Sequence, residues 1–216
     1  MKYGIIQSKT IICDPVNYSA EYFRDIITRH GGLPDNVPDL APVAPVECGP
    51  LRILPGVEIL TQPPHLQAYQ KQLSAWTIDN NQMVREAVWQ ILPDDQIRQN
   101  LKQALADIRK QHETGGITLA GGIQIRTDRE SQAQLSGAYN SLKNGLINST
   151  RWKSDTRFIT VTLAELQPIA QAVAVHVSQS FSAEKAVSDL IDNAADTDAL
   201  LAIDLQHEFS QAFNND

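Results

Sequence analysis

Residues 115–130 have the sequence GGITLAGGIQIRTDRE, which is the clearest local folding signal in the chain. Two apolar runs, 117–119 and 123–125, flank Ala120-Gly121-Gly122, and glycine supplies the positive φ that a tight hairpin turn requires. The segment Thr127-Asp128-Arg129-Glu130 follows directly. It predicts a capping box, in which the Thr127 hydroxyl covers a free amide and Glu130 reaches back to the Thr127 amide. The stretch therefore predicts a β-hairpin followed by a helix.

The same order of elements occurs again further along the chain. Trp152-Lys153, a turn at Ser154–Arg157 and the run 158–161 predict a second hairpin, and Thr162-Leu163-Ala164-Glu165 repeats the capping-box pattern. With helices predicted at 95–111, from the first capping box to about 145, and from the second to about 192, residues 94–192 read as helix–hairpin–helix–hairpin–helix. Pro168 is expected to distort the start of the last helix. The buried side of that helix is predicted to be Leu166, Ile169, Val173, Val177, Phe181, Val187 and Leu190.

The N-terminal third has a different pattern. Residues 1–32 predict a small module of a hairpin and a helix, with Ser19 as the helix cap. Residues 33–68 contain eight prolines, spread between positions 34 and 64, and such a density disfavours both a helix and a central strand. We therefore expect an extended linker or arm, with at most a short strand near 57–60. The domain boundary is expected to lie within this segment. Residues 69–193 then form one α+β domain. Its first part, 73–91, reads as strand, turn and strand, with a helix over 83–91 as the alternative.

Residues 194–216 form an acidic C-terminal segment. The chain carries a net charge of −7, and from Ala183 to Asp216 eight acidic residues face a single base, Lys185. Apolar residues recur every four positions, which predicts one amphipathic helix over 197–213 with a stripe formed by Leu201, Leu205, Phe209 and Phe213. The stripe either folds back onto the core of its own chain or is offered to the groove of a partner protein. Both alternatives remain open from the sequence.

Composition excludes several classes of protein. An acidic chain lacks the counterion-release drive of a nucleic-acid-binding protein. No apolar run approaches the length of a membrane span, and the N-terminus does not resemble a signal peptide, so we expect neither a membrane partner nor secretion. The only two cysteines, Cys13 and Cys48, match no zinc-site spacing and are expected to be reduced thiols. The overall fold class expected is α+β.

The sequence offers no catalytic constellation. There is no phosphate-binding glycine loop, no nucleophile elbow, and no pair among the five histidines with metal-ligand spacing. His112 lies at a helix end, where a protonated imidazole would favour the helix dipole, and His176 is predicted to be a buried histidine bonded to a carbonyl. Trp76, Trp89 and Trp152 are interpreted as core or interface anchors. We therefore predict no catalytic, cofactor-binding or metal-binding residues.

A series of short motifs has a recognisable order. The stretch Gly121–Asp128 is followed by Ser131, by Leu135-Ser136-Gly137-Ala138, by Trp152-Lys153, and then by a second hairpin strand and a helix with His176. This order resembles an uncharacterised C-terminal domain of bacteriophage tail proteins, found in short proteins encoded beside tail-fibre and baseplate genes. The resemblance extends over residues 76–190. The turn Ser154-Asp155-Thr156 departs from it, because it lacks the usual glycine or asparagine.

The resemblance implies a tail-associated role without catalytic residues. We expect a structural, non-enzymatic virion protein that connects or forms part of the tail fibre or baseplate, located in the virion tail and, during assembly, in the host cytoplasm. The alternative is a tail-fibre assembly chaperone that is absent from the mature virion. The expected partners are tail-fibre and baseplate proteins, together with copies of the chain itself in a trimer or dimer. The expected partner-binding residues are Leu201, Leu205, Phe209, Phe213, Trp76 and Trp89.

Overall fold

A seven-stranded sheet covered by one helix forms the first of two units in the computed structural model, which describes residues 1–153 and 158–215. The units are Met1–Leu92 and Pro93–Asp216. Together they confirm the α+β class. The predicted turn at Ser154–Arg157 lies outside the described residues. The strands of the first unit are β1 (Lys2–Gln7), β2 (Thr10–Asn17), β3 (Val46–Cys48), β4 (Leu51–Ile59), β5 (Tyr69–Leu73), β6 (Thr77–Asp79) and β7 (Gln82–Ile91).

The sheet has the order β2-β1-β4-β7-β5, with β3 paired to β4 and β6 paired to β7. β4 runs antiparallel to β1 and parallel to β7. Helix α1 (Ala20–Arg29) begins after Ser19, whose hydroxyl accepts from the Tyr22 amide, so the predicted N-terminal hairpin and capped helix are confirmed. Gly4 is required by close packing, because a Cβ there would lie 2.4 Å from the Met83 sulfur. Of the predicted strand, turn and strand over 73–91, the turn and the second strand are confirmed, and the helical alternative for 83–91 is wrong. The first strand is Thr77–Asp79, and residues 74–76 separate it from β5.

The two faces of this sheet hold separate apolar clusters because side chains alternate along a strand. Tyr3 and Ile5 of β1 lie with Phe23 and Ile27 of α1 on one face. Ile6, the next residue of β1, lies on the other face with Leu54, Trp76 and Met83. Residues of the strands thus alternate between the two clusters.

The predicted linker 33–68 is wrong, because the segment contains a central strand. Pro34 opens a short 3-10 helix, Pro34–Asn36, and the carbonyls of Pro38 and Pro42 accept hydrogen bonds from Tyr18 and Tyr3. Pro55 lies inside β4. On the side of β4 away from β1, residues up to Ile53 pair with β3 and residues from Gly56 onward pair with β7. Pro55 lies between the two pairings, so its missing amide breaks no hydrogen bond there. The units divide at Leu92/Pro93 rather than within 33–68, and the first strands of the predicted 69–193 domain belong to the first unit.

The second unit is mainly helical. Its helices are α2 (Asp94–Thr114), α3 (Arg129–Lys143), α4 (Leu163–Asn193), α5 (Thr197–Leu201) and α6 (Leu205–Asn215). Hairpin β8 (Ile117–Leu119) with β9 (Ile123–Ile125) follows α2, and hairpin β10 (Thr150–Lys153) with β11 (Phe158–Val161) follows α3. Both predicted hairpins and all three predicted helices of residues 94–192 are therefore present in the predicted order. The segment 197–213, however, is two helices, because the Asp204 side chain accepts from the His207 amide and starts a new one.

Helices α2 and α4 lie antiparallel. Arg98 donates to the Ile191 and Ala194 carbonyls at the end of α4, whereas Arg109, further along α2, binds Glu184 further back on α4. The second predicted capping box is confirmed, with Glu165 accepting from the Thr162 amide at 2.8 Å. That bond holds the pKa of the Glu165 carboxyl below its ordinary value. α4 continues through Pro168 as one helix.

The predicted buried side of α4 needs correction. Phe181 and Leu190 are about half exposed, whereas His176, Ser180 and Ala183 are buried. Small and polar residues occupy the buried side where α2 and α6 approach α4 closely, and a pattern based on large apolar residues does not reveal this. The remaining buried residues of α4 are Leu166, Val173, Val187 and Ile191.

Candidate functional site

Two histidines form a stacked pair inside the second unit. His112 lies near the end of α2 and His176 lies in the middle of α4, with ring centroids 5.1 Å apart and ring planes 27° apart. The Nε2 atom of His176 is 3.0 Å from the His112 carbonyl oxygen. Since a carbonyl oxygen can only accept, this Nε2 carries the hydrogen and donates it. The prediction of a buried His176 bonded to a carbonyl is confirmed.

Helix α6 covers this pair with two phenylalanines. The Phe213 ring lies 4.1 Å from the His112 ring and 5.6 Å from the His176 ring, measured between centroids. Phe209 is fully buried, 5.4 Å from His112. We call these four residues the His–Phe cluster: His112, His176, Phe209 and Phe213. The sequence predicts that His176 is buried, but it could not show that His112 and α6 meet it, because His112 is 64 residues and Phe213 is 37 residues away from it along the chain.

The C-terminal apolar stripe therefore packs onto the core of its own chain. Leu205 and Phe209 are buried, and Leu201 and Phe213 are half-buried. Of the two alternatives left open by the sequence, the structure has the helix folded back. While α6 stays in place, the stripe is not the exposed docking surface that was expected of residues 194–216.

His112 is in an environment that disfavours charge. Burial lowers the pKa of His112 below its ordinary value of 6.5, and the neighbouring His176 lowers it further. Its Nδ1 is buried and has no hydrogen-bond partner among the described residues. His112 lies in the last turn of α2 as predicted, but α4 and α6 half-bury its ring, and this disfavours the protonated imidazole that was expected there.

A buried ion network lies beside the His–Phe cluster. Glu113 is 2% exposed and binds Arg109 on the next turn of α2. Arg109 also binds Glu184 at 3.0 Å, and its guanidinium lies 4.5 Å from the centroid of the Phe181 ring. Arg129 lies 3.6 Å from Glu113. The network joins α2 to α3 and α4, and each buried charge has an opposite charge within reach.

A groove runs between α3 and α4. It has a volume of about 640 Å³ and is lined by apolar side chains, among them Leu135, Tyr139 and Val177, mixed with glutamines and serines. Among residues 1–153 and 158–215, no three His, Cys, Asp or Glu side chains are grouped so that they could hold a metal ion. Within the same residues, no helix has both the length and the apolar character needed to cross a bilayer.

The two tryptophans predicted to bind a partner differ in exposure. Trp76 is buried in the cluster with Ile6, Leu54 and Met83, and the Arg85 guanidinium lies 4.5 Å from its ring centroid. Trp76 therefore belongs to the core rather than to a contact surface. Trp89 is half-buried and its Nε1 donates to the Thr61 hydroxyl at 3.0 Å, so its role in partner binding stays a prediction.

One face of the first unit's sheet exposes apolar side chains together with a carboxylate, since Glu86 lies opposite Ile59 on it. The register places Val57 and Ile59 of β4 on the same face as Val88 of β7, and all three are exposed. Glutamines of β5 and β7 adjoin Val88, with Gln70 opposite Gln90 and Gln72 opposite Val88. We call this surface the β4–β7 face. A short strand near 57–60 was predicted and forms the end of β4. Its pairing with β7, which creates this face, had no signal in the proline-rich segment.

Comparison with known proteins assigns the chain to a family. The family described as "Domain of unknown function (DUF4376)" matches residues 96–206, a range that includes both hairpins, most of α2, all of α3, α4 and α5, and only the start of α6. No curated protein and no solved structure matches the chain in the corresponding comparisons. Because the match covers more than half of the chain, the protein belongs to the DUF4376 family.

Proposed function

We propose that the protein is a structural, non-enzymatic component of a bacteriophage tail that connects or forms part of the tail fibre or baseplate by protein–protein contacts. The order of motifs from Gly121 to His176 supports this proposal through its resemblance to phage tail proteins. The observation that carries it is the β4–β7 face. Exposed β-branched side chains in adjacent strands, bordered by glutamines, are typical of a surface that another protein covers.

The β4–β7 face offers apolar contact area with polar groups around it. Val88 is 49% exposed and Ile59 is 43% exposed, so covering them removes apolar area from water. Gln70 and Gln72 both donate to the side-chain oxygen of Gln90, and their row lies beside the valine. Glu86 lies opposite Ile59 on the same face, so the apolar side chains are mixed with charged and hydrogen-bonding groups, as they are in non-obligate protein interfaces. The partner in this proposal is a tail-fibre or baseplate protein.

The test is to purify particles of the phage that encodes the chain and to search them for the protein by mass spectrometry. We expect it in the particles, and we expect Val88→Lys to reduce its incorporation, since a buried charge opposes docking. Val43→Lys is the matched control, because Val43 is fully exposed in the loop before β3 and belongs to neither β4 nor β7. Absence of the wild-type protein from complete particles would contradict the proposal.

The second candidate is a tail-fibre assembly chaperone, which would use the same face and then leave. Co-expression with the fibre protein separates the two. A chaperone raises the yield of soluble fibre and is missing from finished particles, whereas a structural component is retained in them. If Val88→Lys and Val43→Lys are incorporated equally well, the contact lies elsewhere on the chain and the β4–β7 face is not the docking surface.

A further inference from the structure

The attachment of α6 depends on aromatic contact with two imidazole rings. Phe209 and Phe213 are one helical turn apart, so they lie on the same side of α6 and both meet the histidine pair. Phe213 contacts both rings, and Phe209 contacts that of His112. The rings that hold α6 therefore belong to the one side-chain type whose charge changes near neutral pH.

Within the part of the chain that the structure describes, no carboxylate is hydrogen-bonded to either ring of the pair to balance a positive charge. On α2, Glu113 is bound by Arg109 and approached by Arg129, and on α4, Glu184 is bound by Arg109. α6 carries Glu208 and the exposed His207, whose ring bonds to Gln211.

A protonated His112 would also lack an acceptor for its new hydrogen. Its Nδ1 is buried without a partner, and the His112 carbonyl already accepts from His176. Contact of an imidazolium with the Phe213 ring would recover part of the lost hydration. Burial nevertheless lowers the pKa of His112, so the balance of these effects favours the neutral ring.

We propose that proton binding to His112 in this pair detaches α6 from α2 and α4, so that the chain presents the stripe of Leu205, Phe209 and Phe213 in mildly acidic conditions. The packed and detached states correspond to the two alternatives that the sequence leaves open for this segment. A charge on His112 can regain water only if the covering phenylalanines move away. The inference rests on the geometry of the second unit alone and does not depend on a role in the tail.

The test is amide hydrogen exchange of the full chain at pH 7.5 and pH 5.5, with intrinsic exchange rates corrected for pH. We expect protection of the α6 amides, 205–215, to fall by about tenfold or more at the lower pH. Protection of β1 and β4 in the first unit is expected to stay unchanged. Unchanged protection of α6 between the two pH values would overturn the proposal.

Two variants separate the pair from other titrating groups. His112→Phe keeps an aromatic ring against Phe213 and removes the proton-binding atom, so the loss of α6 protection at pH 5.5 should disappear. His207→Gln removes the exposed histidine of α6 itself and should behave as the wild type does. A loss of protection that persists in His112→Phe, or that disappears in His207→Gln, would contradict the assignment to the pair.

A second measurement covers the case in which His112→Phe does not fold. In the wild-type chain with 13C-labelled histidine, NMR follows each imidazole signal as the pH falls. We expect the His112 signal to change together with the loss of α6 protection. Loosening of α6 at a pH where the His112 signal has not changed would overturn the proposal.

Discussion

Thr127 and Asp128 are adjacent in sequence at the start of α3 and accept hydrogen bonds from two different backbone amides. The capping box predicted for Thr127 is wrong, because α3 is capped by Asp128, whose carboxylate accepts from the Ser131 amide at 3.0 Å. This bond lowers the pKa of Asp128. Thr127 is instead fully buried, and its hydroxyl accepts from the Gly116 amide at 2.8 Å. Either residue can cap, and only the contact with Gly116 decides which one does.

Replacement of Thr127 by valine should destabilise the second unit. Valine has the shape of threonine but leaves the Gly116 amide without its acceptor, and an unpaired buried donor costs about 1–3 kcal/mol. Thr127→Ser keeps the hydroxyl and should lose less of the free energy of unfolding. Urea denaturation followed by circular dichroism measures both variants. Equal stability of the valine variant and the wild type would show that this hydrogen bond contributes nothing.

A single substitution in the buried ion network should lower the free energy of unfolding more than Thr127→Val does. Arg109→Met removes the positive charge shared by Glu113 and Glu184 and leaves the buried Glu113 only the exposed Arg129, 3.6 Å away. Breaking a buried ion pair costs about 3–5 kcal/mol, and we expect a loss toward the lower end of that range. Lys185→Met is the control, because its i,i+4 pair with Asp189 is exposed and contributes about 0.5 kcal/mol or less. The free energy of unfolding in urea should separate the two variants clearly. Losses of equal size would contradict the role of Arg109 in the core.

At the scale of elements, local sequence signals predict structure well when a neighbouring element does not change them. Both hairpins of the second unit and the capping box of α4 were predictable, because their turn and cap residues are adjacent in sequence. β4 as a central strand could not be predicted from the sequence. Pro55 is tolerated in it because the pairing with β3 ends before this residue and the pairing with β7 begins after it, and only the three-dimensional sheet brings these strands together. The break before α6 had a usable signal in Asp204, which is a good helix cap. The His–Phe cluster had no usable signal in the sequence, because its contacts join residues of three separate helices.

Pro168 lies inside α4, where a proline destabilises the helix. It is the sixth residue of the helix, so its ring removes a hydrogen bond to the Ala164 carbonyl. Pro168→Ala should therefore raise the free energy of unfolding, by about 1–2 kcal/mol after the added freedom of the unfolded chain is subtracted. Gln167→Ala, at an exposed neighbouring position, should change it by about 0.5 kcal/mol or less. A loss of stability in Pro168→Ala would mean that the proline ring makes a packing contribution larger than the bond it removes.

For the whole molecule, the two units have different acid-sensitive groups. In the first unit, the hydrogen bond from Lys2 to Glu58, followed by that from Arg85, holds the pKa of the Glu58 carboxyl below its ordinary value of 4.5. In the second unit, burial holds the pKa of His112 below 6.5. In both cases the unfolded chain binds protons more readily than the folded chain, so stability falls as the pH falls. The two units should therefore lose stability in different pH ranges.

The contribution of Glu58 is fully present above pH 4.5 and is lost as the pH falls from 4.5 through the lowered pKa of the folded state. The contribution of His112 is fully present above pH 6.5 and is lost below it. Hydrogen exchange of the most protected amides in full-length protein should thus show α2 and α4 weakening between pH 7 and pH 5, while β1 and β4 weaken only below pH 4.5. Glu58→Gln should lower the protection of β1 and β4 at pH 7 and remove most of their further decline below pH 4.5. If β1 and β4 weaken in parallel with α2 and α4 from pH 7 downward, the acid sensitivity of the first unit does not come from Glu58.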